Sequence, residues 1–164
     1  MAMVGNAATN ALKSKLTAAT GLPFAIAALA EQEKVDLPVI DETRIAAQHV
    51  AADVVERTAG AQYPAVYVYC EGMANTLKEK FRTFSGKVQM AIELRASHDR
   101  LEGVSQNLQL YTAAALEVLN SQRGDWGSGL FYTGGYKVEF GPIRRGGKNF
   151  LQTAKVSFDV EAST

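Results

Sequence analysis

KVQMAIELR, residues 87–95, changes character at almost every step: Val88, Met90, Ile92 and Leu94 are apolar, whereas Lys87, Gln89, Glu93 and Arg95 are polar or charged. An extended chain sends successive side chains to opposite faces, so the alternation predicts a strand with one face packed and the other in water. Residues 150–162 repeat the pattern, with Phe150, Ala154, Val156, Phe158, Val160 and Ala162 set against Thr153, Lys155, Asp159 and Glu161. Before them Tyr136, Val138 and Phe140 alternate with Lys137 and Glu139. These two segments read as a long hairpin with the tip Arg144-Arg145-Gly146-Gly147-Lys148-Asn149, where Gly-Gly permits the positive φ of a tight reversal. VYVYC, residues 66–70, reads as a further strand. Residues 75–86, polar with two Phe, suit either a loop or the start of the strand that follows.

Leu101, Val104, Leu108, Tyr111, Ala115 and Leu119 recur every three or four residues behind Asp99 and Glu102, which have capping-box spacing. A helix over 99–121 is expected. Before residue 60 the chain is alanine-rich and loses the period of two. Ala8, Leu12 and Leu16 make a helical face that stops at Thr20-Gly21-Leu22-Pro23. Asp41 is placed to cap a second helix carrying Ile45, Ala46, His49, Val50, Asp53 and Val54, ended by Thr58-Ala59-Gly60. Residues 31–40 read as a polar connector. The order helix, helix, strand, strand, helix, strand, strand predicts an α+β fold. Its sheet is antiparallel or mixed, of about four strands, with helices on one face. Residues 1–60 form a helical N-terminal region that is not an independent domain, and residues 61–164 form the α+β body.

Composition narrows the functions. The chain has 164 residues, 47% of them hydrophobic, enough for one core and short for two domains. Lys+Arg and Asp+Glu are 17 each, which argues against a polybasic nucleic-acid coat or an acidic tail. One cysteine, Cys70, and two distant histidines, His49 and His98, exclude an internal disulfide and give no zinc spacing. The apolar run at residues 22–30 falls short of the roughly 20 residues that cross a bilayer. Lys13 and Lys15 ahead of residues 16–30 imitate a secretory signal, but Gly21 and Pro23 interrupt it, so an intracellular product is expected.

Motifs for chemistry are sparse. Gly146-Gly147-Lys148-Asn149 lacks both the glycine spacing and the Ser or Thr of a phosphate loop. The glycines of residues 124–135 follow a helix rather than a strand and read as a mobile loop. Cys70 with His98 is the one nucleophile and base pair to consider, yet Cys70 falls in phase with Val66 and Val68 on an apolar strand face. Trp126, Tyr132 and Tyr136 near Arg123 and Lys137 suit base stacking without the basic stripe of a nucleic-acid binder. What stands out is charge on the hairpin. Lys137, Arg144, Arg145, Lys148 and Lys155 face a single acid, Glu139, in that stretch.

In order and texture, residues 63–162 resemble the small tail-terminator and tail-completion proteins of long-tailed bacteriophages. The resemblance lies in a helix ahead of a Pro-x-Val strand at Pro64-Ala-Val-Tyr-Val-Tyr69, the strand at 87–95, the amphipathic helix 99–121 and the closing strand pair. It implies a homo-oligomeric ring, usually a hexamer, that stacks on the last ring of the tail tube, ends its polymerisation and offers its other face to the head-side connector. It implies no catalysis, no cofactor or metal, no membrane, and residence in the virion neck or tail after assembly in the host cytoplasm, with genomic DNA passing through the lumen. On this reading Arg144, Arg145 and Lys148 engage an adjacent ring or line the DNA passage, and Trp126 and Tyr132 anchor an interface. A head-to-tail adaptor of the connector is the alternative within the class, and a small nucleic-acid-binding module the alternative outside it.

Overall fold

The two longest strands set the architecture of the computed structural model, which describes residues 3–50 and 62–164. Strand β3 (Ser85–His98) and strand β8 (Asn149–Ser163) pair antiparallel from Ser85↔Ser163 to His98↔Phe150. Beyond β3 lies β2 (Ala65–Asn75), antiparallel, and beyond that the two-residue β1 (Ile45–Ala46), parallel to β2. The other edge of β8 is matched by three short pieces in turn: β7 (Arg144–Gly146), β6 (Lys137–Phe140) and β5 (Leu130–Tyr132), with β4 (Gly124–Gly127) outermost. The result is a curled, mixed sheet. Three helices, α1 (Val4–Thr17), α2 (Leu22–Glu33) and α3 (Leu101–Ser121), complete an α+β fold.

Alternation in β3 and β8 is what builds the core. Val68, Ile92 and Val156 form one cross-strand row with no exposure. Met90, Leu94, Ala154, Phe158 and Val160 extend it. Against them α3 presents Val104, Leu108, Tyr111, Ala115 and Leu119, and α1 presents Ala8, Leu12 and Leu16 at helical spacing. Each such aliphatic side chain contributes roughly 1.5–3 kcal/mol by leaving water. α1 and α3 pack on the sheet, and α2 packs on α3.

Several local expectations are corrected. The first helix does end ahead of Thr20-Gly21-Leu22-Pro23, but Pro23 also opens α2, a helix the sequence reading did not mark, because the first turn of a helix has no use for the missing N–H. Gly21 makes the reversal between α1 and α2 possible, since a Cβ there would sit 2.3 Å from the Leu16 carbonyl oxygen. The apolar run of residues 22–30 is thus a packed helix, burying Leu22, Ala25, Ile26 and Leu29. The helix expected from Asp41 is absent over residues 45–50. Asp41 accepts a hydrogen bond from the Thr43 amide at 2.9 Å but caps only one 3-10 turn (Glu42–Arg44), after which Ile45 and Ala46 pair with Val66 and Tyr67. Strand pairing satisfies the backbone there while it buries Ile45. The rest of that predicted helix, residues 51–60, lies outside the described residues.

Asp99 and Glu102 form no capping box. Arg100 is the N-cap of α3 with no side-chain cap, its amide donates to His98 Nδ1 at 3.0 Å, and Asp99 approaches that same nitrogen at 3.0 Å. Residues 124–135 are a β-hairpin rather than a mobile loop: Gly124, Gly127 and Gly129 take positive φ, and Leu130 pairs with Ala162. The sheet therefore has more than four strands. β1, β4, β5 and β7 are too short for a period of two to register in the sequence. Residues 76–84 are a loop, with β3 beginning at Ser85. The long hairpin is present but broken by residues 141–143 between β6 and β7, and it turns at Gly147-Lys148.

Three tyrosines couple this core to alkaline pH. The hydroxyls of Tyr69, Tyr111 and Tyr132 donate to Glu93 Oε1 at 3.2 Å, Pro38 O at 2.6 Å and Gly135 O at 3.2 Å. Burial pushes all three phenols above the ordinary value of 10.0, and Glu93 adds to the effect at Tyr69. The folded state keeps these protons when the unfolded chain sheds them. Stability is therefore full below about pH 10 and falls above it, by up to about 1.4 kcal/mol per pH unit for each tyrosine. Urea unfolding at neutral and strongly alkaline pH, alongside phenolate absorbance, checks this; unchanged stability above pH 10 contradicts it.

Candidate functional site

The chain places its two most distinctive exposed segments at opposite ends of the β3–β8 pair. At one end the turn Gly147-Lys148 projects beyond His98↔Phe150. At the other, the loop of residues 76–84 projects beyond Asn75↔Gly86 and Ser85↔Ser163. β3 is 14 residues long, so about 45 Å of strand, at roughly 3.4 Å per residue, runs between the two ends.

The hairpin end is cationic. Arg144, Arg145 and Lys148 are all exposed, with the exposed Arg100 at the start of α3 following His98. Gly147 takes φ 68, which lets a two-residue turn reverse the chain. Arg145 pairs with Phe150 and Arg144 with Leu151, so the two arginines leave the hairpin on opposite sides.

The loop end exposes apolar side chains among the charged Lys78, Glu79, Lys80 and Arg82. Phe81 is fully exposed and sits at φ 64, a left-handed conformation that a bulky residue seldom holds. Leu77 (64% exposed) and Met73 (56%) lie nearby in the chain, and a groove of about 300 Å³ lined by Met3, Val4, Met73 and Phe84 opens between the start of α1 and this loop. Several large apolar side chains thus stand in water at this end of the protein.

A third feature lies on the sheet face away from the core. A cleft of about 430 Å³ is lined by Glu71, Lys87, Gln89, Tyr136, Asp159 and Glu161 among others, and holds no histidine or cysteine. Glu71, at the bulge between Cys70 and Gly72, forms an ion pair with Lys155. Higher on this face Arg95 is only 3% exposed although its strand position reads as water-facing. Its guanidinium pairs with Glu93, donates to the Val50 carbonyl and lies 4.2 Å from the Tyr67 ring centroid. His49 stacks on Tyr69 at 3.8 Å. Residues 49–50 thus lie against what the alternation alone marks as a solvated face.

The remaining sequence candidates are dispersed. Tyr132 is fully buried in the core, and Trp126 is half-buried against Tyr132 and Phe158, its Nε1 donating to Gln122 O at 2.7 Å and its ring 5.1 Å from Lys15 Nζ. These rings are joined to each other and not to the basic tip. Cys70 bonds to Gly72 O at 3.4 Å, and burial pushes its thiol up. His98 lies eight residues along β3 from Met90, the partner of Cys70, or about 27 Å away. The structure does not bring the two together.

Sequence reasoning missed the apolar end. Its one signal was the pair Phe81 and Phe84 in a polar stretch, which alternation had left open between loop and strand. Among the described residues no three His, Cys, Asp or Glu side chains group as a metal site, and no helix is long and apolar enough to cross a membrane. No protein-family model matches this chain, and no curated protein matches it.

Proposed function

We propose that this chain is a structural assembly protein of a long-tailed phage, one subunit of a ring that caps the tail tube, ends its polymerisation and offers its opposite face to the head-side connector. One observation carries the reading: a loop exposing Leu77 and Phe81 and a hairpin exposing Arg144, Arg145 and Lys148 stand at opposite ends of one continuous strand pair about 45 Å long. A subunit wedged between two different rings needs two unlike docking ends held rigidly apart. Paired strands hold that spacing more stiffly than a linker does. At the loop end Leu77 and Phe81, set among Lys78, Glu79, Lys80 and Arg82, suit a contact of apolar anchors with a polar rim on the last ring of the tube. At the basic end Arg144, Arg145 and Lys148 suit the connector or the phosphates of DNA in the passage.

Imaging particles made without this protein tests the reading. Tails of uncontrolled length are expected; finished tails beside unjoined filled heads would instead mark a head-to-tail adaptor, and normal virions overturn both. The paired substitution Arg144→Glu with Arg145→Glu is expected to give soluble protein that no longer supports stacking or head joining. Normal assembly by that variant removes the assignment of the hairpin.

A further inference from the structure

Phe81 stands in water beside an apolar groove that it does not enter. The groove of about 300 Å³ has Met3, Val4, Met73 and Phe84 among its walls and reaches Thr83, two residues along the chain from Phe81. Burying an aromatic ring there would be favourable. Yet the ring is fully exposed, its backbone is held at φ 64, and Lys78 in the same loop is held at φ 51. Residues other than glycine keep such conformations only where their surroundings over-determine them.

The surroundings that hold this loop come from Ser163, which ends β8, and Thr164 after it. Thr164 O accepts from the Thr83 amide at 2.8 Å, the Phe84 amide at 3.2 Å and the Thr83 hydroxyl at 3.1 Å, and the Thr164 amide donates to Phe84 O at 2.9 Å. Ser163 Oγ donates to Glu79 Oε2 at 2.9 Å, so the middle of the loop is tied as well as its end. Ser163 is itself fixed, because its amide donates to Gly129 O at 2.9 Å in the β4–β5 turn. From the other side Asn75 completes the hold: its Oδ1 accepts from the Ser85 amide at 2.9 Å and its Nδ2 donates to Thr83 O at 3.4 Å. Amide, hydroxyl and carbonyl of Thr83 are thus all engaged, the first two by Thr164.

We infer that Ser163 and Thr164 are positioning residues for docking: they hold residues 76–84 in the conformation that presents Leu77 and Phe81 to the tube. This role rests on the loop end being the docking surface proposed above. A loop ordered beforehand docks more tightly than a loose one, since its conformational freedom is not lost at the moment of contact.

Hydrogen exchange on the full chain, together with imaging of particles made with each variant, tests it. Thr83→Val with Ser163→Ala removes both hydroxyl bonds, and Thr164→Pro removes the amide that reaches Phe84 O. Each is expected to speed exchange of the Thr83 and Phe84 amides at least about tenfold, the effect that one or two neutral hydrogen bonds carry. Unchanged exchange in β3 and α3 shows that the variants fold. Both are expected to give tails of uncontrolled length, and Thr83→Ser with Ser163→Thr, which keeps the hydroxyls, is expected to match the unaltered protein in both readouts. Loop exchange that stays at the unaltered rate overturns the positioning role and leaves the docking surface standing. Loosened loops with normal tails also overturn it, and overturn the docking surface too where Leu77→Asp with Phe81→Asp gives normal tails.

Discussion

Arg95→Ala is expected to lower the free energy of unfolding by about 3 kcal/mol, the low end of what removing one member of a buried ion pair costs. Three contacts disappear together: the pair with Glu93, the bond to the Val50 carbonyl and the stacking on Tyr67. Glu93 then keeps a half-buried charge beside the hydroxyl of Tyr69, and the cation across the strand from it, Lys155, is already paired with Glu71. The low end applies because water reaches part of Glu93, whose side chain is 17% exposed. Small domains have roughly 5–15 kcal/mol in all, so the loss is a large fraction. Urea unfolding measures it, and adding Glu93→Gln to Arg95→Ala is expected to recover part by removing the stranded charge. A cost below about 1 kcal/mol would mean that this cluster is solvated and that residues 49–50 do not close over the sheet.

The second large effect has the opposite signature. Leu77→Asp with Phe81→Asp is expected to leave stability within about 0.5 kcal/mol, because neither side chain packs on the core. Docking at the loop end is expected to be lost, since the two apolar anchors are replaced by carboxylates that must be desolvated on contact. Unfolding measurements on the purified variant and imaging of particles assembled with it separate the two effects. Normal tails would remove the loop from the docking surface, and a strongly destabilised variant would show that Leu77 and Phe81 serve the fold.

Much of the architecture was legible in the sequence where periodicity runs long enough to be counted. β3, β8 and α3 span 14, 15 and 21 residues, and each lies where alternation or helical spacing marks it. Of the short strands only β6 announced itself, through the alternation around Val138; β1, β4, β5 and β7 did not, because so few residues carry no clear period. Asp41 misled, and the helix that Pro23 opens went unread, for a related reason: a residue that punctuates structure looks the same whether it ends one element or begins another. The basic hairpin tip was visible as a run of charge. The apolar loop end was not, since Leu77 and Phe81 in a polar stretch look like ordinary core residues until the chain is folded and their exposure is known.

The sequence by itself determined the α+β class, the packed face of each long strand and the cationic tip, because these depend on local order along the chain. Only the tertiary structure decided that Arg95 is buried, that Cys70 and His98 lie far apart, and that an apolar and a basic segment cap opposite ends of the same strand pair. Those facts depend on strand register and chain crossing, which bring together or separate residues distant in sequence, and no local pattern encodes them.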